Sequence, residues 1–297
     1  MRRSSVLSLL ILMLAVLACR CSESGDSPAD DGRSVRIVSL SPAISRTLID
    51  FSLADAIVGR TPFCELLDPQ IPVVGDLLNL DYERLVRLRP THVLVQPPAM
   101  GVDRRLVELA EQHDWTLAQW HIDTLEDVKT MVAELPEALD DDSLIERAVE
   151  LELAIDDALR PSEVLWQGTT LLVASTDPVG VFGTGTYLHD VIAALGATNA
   201  VALANYPQLT LEDVTRLDPE AIILVRPGAP ESLEPGAALR ALASLDISAV
   251  RDGRIALLSH PDAFLPSTGI IGMADELRTI LDQFRGLPRA NPDGGGL

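Results

Sequence analysis

The sequence predicts an α/β fold in two halves separated by a helical bridge, and three observations predict it. Short β-branched runs alternate with amphipathic helical segments over residues 35–123. From Thr124 to Arg160 the strand signal stops and only helical periodicity remains. The alternation then resumes over 161–285, where LEDVTRLDPEAIILV (Leu211 to Val225) repeats the pattern of YERLVRLRPTHVLV (Tyr82 to Val95): a Glu, apolar residues at helical spacing, a Pro and an apolar run.

The first half opens with a strand from Val35 to Leu40, followed by Ser41 as helix cap and Pro42 in the first turn of a helix through Phe51. Strand-like runs recur at Ile57 to Gly59, Val73 to Gly75, His92 to Gln96 and Trp115 to Ala118, with helices over Leu80 to Leu88 and Arg104 to Glu111 between them. The bridge predicts one helix over Leu125 to Leu135 and a longer one over Asp142 to Leu159. At 1.5 Å per residue the longer helix would reach about 27 Å, roughly the diameter of a small domain. In the second half the elements are Thr170 to Ala174, Tyr187 to Leu195, Leu211 to Leu217, Ala221 to Val225, Arg254 to Leu258 and a terminal helix from Ile270 to Phe284. The Gly/Pro-rich tail, 286–297, is expected to be disordered.

Ahead of the body, residues 1–18 carry Arg2, Arg3 and an uncharged apolar run, the pattern of a secretory signal. Val16-Leu17-Ala18-Cys19 resembles a bacterial lipobox, which makes Cys19 the expected lipidated residue and a membrane the expected anchor. Residues 19–34 are small, polar and acidic, and read as a flexible tether. The net charge of −21 excludes nucleic acid as a partner, because phosphate neutralisation requires basic patches. Cys64 is expected to be a small buried hydrophobe, and Cys21 belongs to the tether.

Glu83 and Glu212 occupy the first turns of the two repeated helices and point away from their apolar faces. The helix dipole alone favours an acid at such a position by about 0.3–1 kcal/mol, so either Glu by itself has a local explanation. The same effect covers part of the repetition in both halves, not all of it.

The segments Arg36 to Cys64, Pro72 to Val95, Thr124 to Val128, Gly180 to Asn199, Tyr206 to Val225 and Val250 to Leu258 resemble, in order and spacing, the periplasmic binding proteins of the iron-siderophore, heme and vitamin B12 class. The resemblance implies two Rossmann-like α/β lobes joined by a single long α-helix. It also implies a ligand cleft between the lobes, no catalysis, and an ABC importer as partner. The importer's permease subunits would dock on Glu83 and Glu212.

In open α/β sheets ligands gather beyond the carboxyl ends of the strands. That places Ser41, Phe63, Gln96 and Trp120 of the first half, and Tyr187, Tyr206, Arg226 and Phe264 of the second, as candidate ligand contacts. Arg60 and Arg226 are the main cations near these positions, a balance that favours a neutral or weakly charged macrocycle such as a corrinoid over an anionic iron chelate. No cofactor and no resident metal is expected.

Rival readings are weaker in residue terms. GTGTYL (Gly183 to Leu188) holds two of the three glycines of a dinucleotide fingerprint and reads better as a Gly-rich lead into a helix. Ser259-His260-Pro261-Asp262 lacks a nucleophile elbow. The five histidines have no partner at metal-ligand spacing, although His121 and His260 could share a cleft. A bare-metal binder, or a ligand sensor or adaptor on the same scaffold, remain the alternatives to transport.

Overall fold

A computed structural model describes residues 34–161, 166–230 and 232–288. The expected signal peptide, the tether with Cys19 and Cys21, and the tail from 289 onward lie outside the described residues.

The first lobe runs β1 (Ile37–Ser39), α1 (Pro42–Asp50), β2 (Ile57–Arg60), β3 (Gly75–Asp76), β4 (Asn79–Leu80), α2 (Tyr82–Leu88), β5 (His92–Val95), α3 (Arg104–His113) and β6 (Thr116–Gln119). Its four-stranded sheet, in the order β2-β1-β5-β6, is parallel throughout, while β3 and β4 form a separate two-residue ribbon. As the sequence predicts, Ser41 caps α1 by accepting from Ala43 N at 3.2 Å and Ile44 N at 3.5 Å, with Pro42 in the first turn.

Two helices follow, α4 (Leu125–Ala138) and α5 (Ile145–Ala158). Thr124 and Asp127 close a capping box at the start of α4. The helix expected over Asp142 to Leu159 is shorter than predicted. Asp141 accepts from Ser143 N and holds Asp142–Leu144 as a 3₁₀ turn, so the α-helix begins only at Ile145.

The second lobe contains β7 (Thr169–Thr176), β8 (Val179–Val181), α6 (Tyr187–Ala194), β9 (Thr198–Asn199), β10 (Gln208–Leu209), α7 (Leu211–Leu217), β11 (Ala221–Val225), α8 (Pro235–Ala238), α9 (Ser248–Arg251), β12 (Ile255–Leu258) and α10 (Ile270–Gly286). Its sheet runs β10-β8-β7-β11-β12, with β9 beside β7; β7, β11 and β12 are parallel, and β8 and β10 add an antiparallel edge. The terminal helix extends past Phe284 because the buried Arg254 guanidinium donates to the carbonyls of Phe284 and Leu287, which orders the start of the segment expected to be disordered.

Strand alternation sorts the side chains into three apolar layers. Val38, Val93 and Val95 face outward under α2 and α3, and Leu171, Val173, Ile222 and Leu224 face outward under α7. The inner faces, with Ile37 and Leu94 on one side and Leu172, Ile223 and Val225 on the other, join α1, α4, α5, α6 and α10 in a single buried cluster. The lobes are therefore welded through a common core as well as through the bridge.

The repeated segments fold alike. Leu85 and Val214 are the fully buried anchors of α2 and α7. Each helix ends on a non-glycine residue in the left-handed region, Arg89 at φ 47° and Asp218 at φ 41°. The residue after the following Pro then ties the new strand to its neighbour: Thr91 Oγ1 accepts from Arg36 N at 2.9 Å, and Glu220 Oε2 accepts from Thr169 N at 3.0 Å.

His92 is a buried core residue, its Nδ1 bonded to Thr91 Oγ1 at 2.8 Å. Burial pushes its pKa below the usual imidazole value, with Asp140 opposing in part. A depressed folded-state pKa contributes stability that is present above the unfolded value of about 6.5 and lost as pH falls through the folded one. Urea denaturation at pH 7.5 and pH 5 should therefore show lower stability at the acid pH, and His92→Gln should flatten part of that slope.

Candidate ligand cleft

The carboxyl ends of β1, β2, β5 and β6 release the loops that carry Ser41, Phe63, Gln96 and Trp120, and those of β7, β11 and β12 release the loops that carry Arg226 and Phe264. The lobes touch at these edges. Arg46 on α1 donates from Nε to Asp262 Oδ2 at 2.9 Å, and Thr268 Oγ1 donates to Asp50. Leu125 N donates to Asp190 at 3.0 Å, and Asp123, just past β6, lies within electrostatic reach of Tyr206.

The candidate residues separate into two groups. Phe63 (62% exposed), Tyr206 (53%) and Phe264 (46%) offer apolar surface to solvent. Ser41, Trp120 and Tyr187 are buried with their polar atoms engaged: the Ser41 hydroxyl donates to Gln96 Oε1 at 2.8 Å, Trp120 Nε1 donates to Glu134 at 2.9 Å, and the Tyr187 hydroxyl donates to the Ala263 carbonyl. Gln96 in turn donates to the Ile122 carbonyl. These four side chains set the shape of the edge from behind it. Burial and Tyr206 push the Tyr187 phenol well above its ordinary pKa, and burial with Asp123 raises that of Tyr206. Both rings are neutral at physiological pH.

On the second lobe the aromatic side chains form one wall. Buried Phe182 packs edge-on against Tyr187 and Tyr206 at 6.2 and 5.5 Å between ring centroids, and stacks with Phe264 at 6.1 Å. Phe182 was not singled out in the sequence, although it sits in the GVFGTG segment that predicted a glycine-led turn. The turn explains both glycines: a Cβ on Gly183 would lie 1.9 Å from the Leu203 carbonyl oxygen, and Gly185 adopts φ +75°.

Cys64 is buried and free, and takes hydrogen bonds with Ser45 and Thr61. Among the described residues no three His, Cys, Asp or Glu side chains come together as metal ligands. His260 Nδ1 accepts from Asp262 N, and His121 lies exposed beside Asp127.

Away from the cleft, the side chains of Glu83 and Glu212 are 89% and 85% exposed. Each faces an arginine one turn on, Arg87 at 3.9 Å and Arg216 at 3.2 Å.

Residues 37–260 match the family profile described as periplasmic binding protein. No curated protein matches the sequence. Among solved structures, the periplasmic heme-binding protein HutB of Vibrio cholerae is similar at 19% identity, over 83% of this chain and 98% of that one, with a TM-score of 0.66. The periplasmic vitamin B12-binding protein BtuF of Vibrio cholerae is similar at 18% identity, over 84% and 97%, with a TM-score of 0.65. A possible iron-binding (periplasmic solute-binding) protein of Staphylococcus epidermidis follows at 16% identity, over 82% and 97%, also with a TM-score of 0.65. At these identities the likeness is one of fold.

Proposed function

Because the chain belongs to the periplasmic binding protein family, a family of solute-capturing rather than catalytic proteins located outside the cytoplasm, we propose that it captures an iron chelate, heme or corrinoid between its lobes. It then delivers that ligand to an ABC importer. The observation that carries this reading is the Phe182–Tyr206–Phe264 wall at the carboxyl edge of the second sheet, next to Asp123 of the first lobe. A large flat ligand is held chiefly by apolar and aromatic contact, and half-exposed rings backed by a buried one supply it without much loss of side-chain freedom.

Glu83 and Glu212 serve as the two grips for the importer's paired membrane subunits. Exposed carboxylates that meet arginines form bidentate pairs which fix orientation as well as affinity. Cys19 carries the lipid that keeps the protein at a membrane, with 19–34 as tether between anchor and body. The lobes occupy 35–123 and 161–285, with 124–160 as the connector.

Titration of the protein with heme, cyanocobalamin and a panel of ferric siderophores, followed by intrinsic tryptophan fluorescence, tests the reading. Trp120 lies at the carboxyl end of β6, close to the proposed cleft. Saturable quenching at micromolar concentration or below by at least one of these ligands is expected. A folded protein that responds to none of them would favour the sensor or adaptor alternative.

A further inference from the structure

The connector helix α5 has two apolar sides, and only one of them is buried. Ala148, Leu151 and Ile155 point into the shared core. Ile145, Val149 and Leu153, each half or more exposed, recur at every fourth residue on a different side. Residues four apart stack one above another on a helix, so these three form one continuous strip. A single exposed aliphatic side chain is ordinary on a protein surface, whereas a contiguous apolar strip with a polar rim marks a contact site.

The rim here is acidic on both sides. At about 100° per residue, Glu146 and Glu150 form the row on one side of the strip, and Glu152 and Asp156 the row on the other. The two cations beside it are already engaged. Arg147 donates to the Asp50 carbonyl at 2.8 Å and pairs with Glu150 at 2.9 Å, and Lys129 pairs with Asp156. Glu146 and Glu152 make no ion pair among the described residues. Over 137–158 nine acids stand against one arginine.

These surroundings decide what the strip can take. A second copy of the chain packed on it would set acid against acid along both flanks, whichever way the two helices ran. An anionic lipid surface would meet the same repulsion. A helix whose own apolar strip is flanked by Lys or Arg gains twice: the aliphatic faces leave water together, and the flanking charges are of opposite sign.

We propose that this outer side of α5 is a docking strip for a cationic amphipathic helix of a partner protein. Ile145, Val149 and Leu153 make the apolar contact, and Glu146 and Glu152 receive the partner's cations. The inference is independent of the solute-binding reading, because the strip is built from the connector and not from the strand ends that carry the aromatic wall.

The probe is a fluorophore-labelled lysine–leucine peptide with leucines three and four residues apart, added to the full chain and followed by anisotropy. Two controls accompany it: the same residues scrambled, and a glutamate–leucine peptide of the original pattern. Saturable binding of the lysine peptide is expected, about tenfold weaker for the scrambled one and absent for the glutamate one. Val149→Ser and Leu153→Ser, both at exposed positions, should each weaken binding about fivefold. Glu146→Gln with Glu152→Gln should do the same and make binding less sensitive to salt. Glu111→Gln, on α3 of the first lobe, should change nothing. Unchanged affinity in both serine variants, or an equal loss in Glu111→Gln, would reduce the binding to attraction by the acidic chain as a whole and overturn the strip. A dimer in sedimentation that Leu153→Ser disperses would overturn it in favour of a second copy. Flotation with phosphatidylcholine–phosphatidylglycerol vesicles that Leu153→Ser abolishes would overturn it in favour of a lipid surface.

Discussion

A protein carrying both Glu83→Ala and Glu212→Ala is expected to bind its ligand as tightly as the unchanged chain and to support no measurable uptake. Both side chains are almost fully exposed and lie on the outer helices α2 and α7, away from the aromatic wall. Neither makes a contact that holds the fold together. Their pairs with Arg87 and Arg216 are surface pairs between helical neighbours, worth about 0.3–0.5 kcal/mol each at most. Stability of the double variant should therefore stay within about 1 kcal/mol of the original. Docking is another matter, because truncating one partner of an interfacial charge pair costs roughly 2 kcal/mol or more. Each single variant should lose about thirtyfold in affinity for the importer, and the double variant roughly the product of the two if the sites act independently. The measurement is ligand uptake in cells that express the importer, together with ligand affinity of the isolated protein. Wild-type uptake by the double variant would remove the docking role, and a parallel loss of ligand affinity would show that the residues act on the cleft instead.

The sequence made this pair visible because it encodes α2 and α7 with the same grammar: a cap, an acid in the first turn, a buried aliphatic residue at the centre, a left-handed stop and a proline. Local rules of that kind also brought out the Ser41 cap, β11 and the glycine-led turn before α6. They fail where the determining contact is distant in sequence. The carboxyl ends of strands point to Trp120 and Tyr187 as readily as to Tyr206, and only the partners Glu134 and Ala263 reveal that the first two face inward. Phe182, too, is hidden among glycines. The antiparallel strands β8 and β10 are only three and two residues long, too short for alternation to announce them.

Arg46→Ala is expected to destabilise the protein by about 2–3 kcal/mol, the largest effect of any single surface-reaching substitution proposed for it. The Asp262 side chain is only 5% exposed, its Oδ1 has no hydrogen-bond partner among the described residues, and Arg46 supplies the bond to Oδ2. A Cβ at Gly269 would lie 2.4 Å from that same oxygen, so the carboxylate is closely surrounded and little room remains for water to replace the guanidinium. Removing Arg46 thus leaves a buried charge with neither of its oxygens satisfied, the situation that costs most when a buried pair is broken. Because Arg46 is itself one-quarter exposed and also pairs with Asp50 at 3.1 Å, the loss falls below that of a fully buried pair. The double variant Arg46→Ala/Asp262→Ala should recover part of it, since it removes the stranded charge along with its partner. Urea denaturation of the four proteins in that cycle measures the coupling, and additive losses would contradict the buried-charge account. The position of the pair gives the result a functional edge. Arg46 belongs to the first lobe and Asp262 to the loop that carries Phe264 in the second, so the contact that stabilises the fold also ties together the two sides of the proposed cleft. Because that contact and the shared apolar core join the two lobes, closure on binding should be a small adjustment of loops at the carboxyl edges, not a swing of whole lobes.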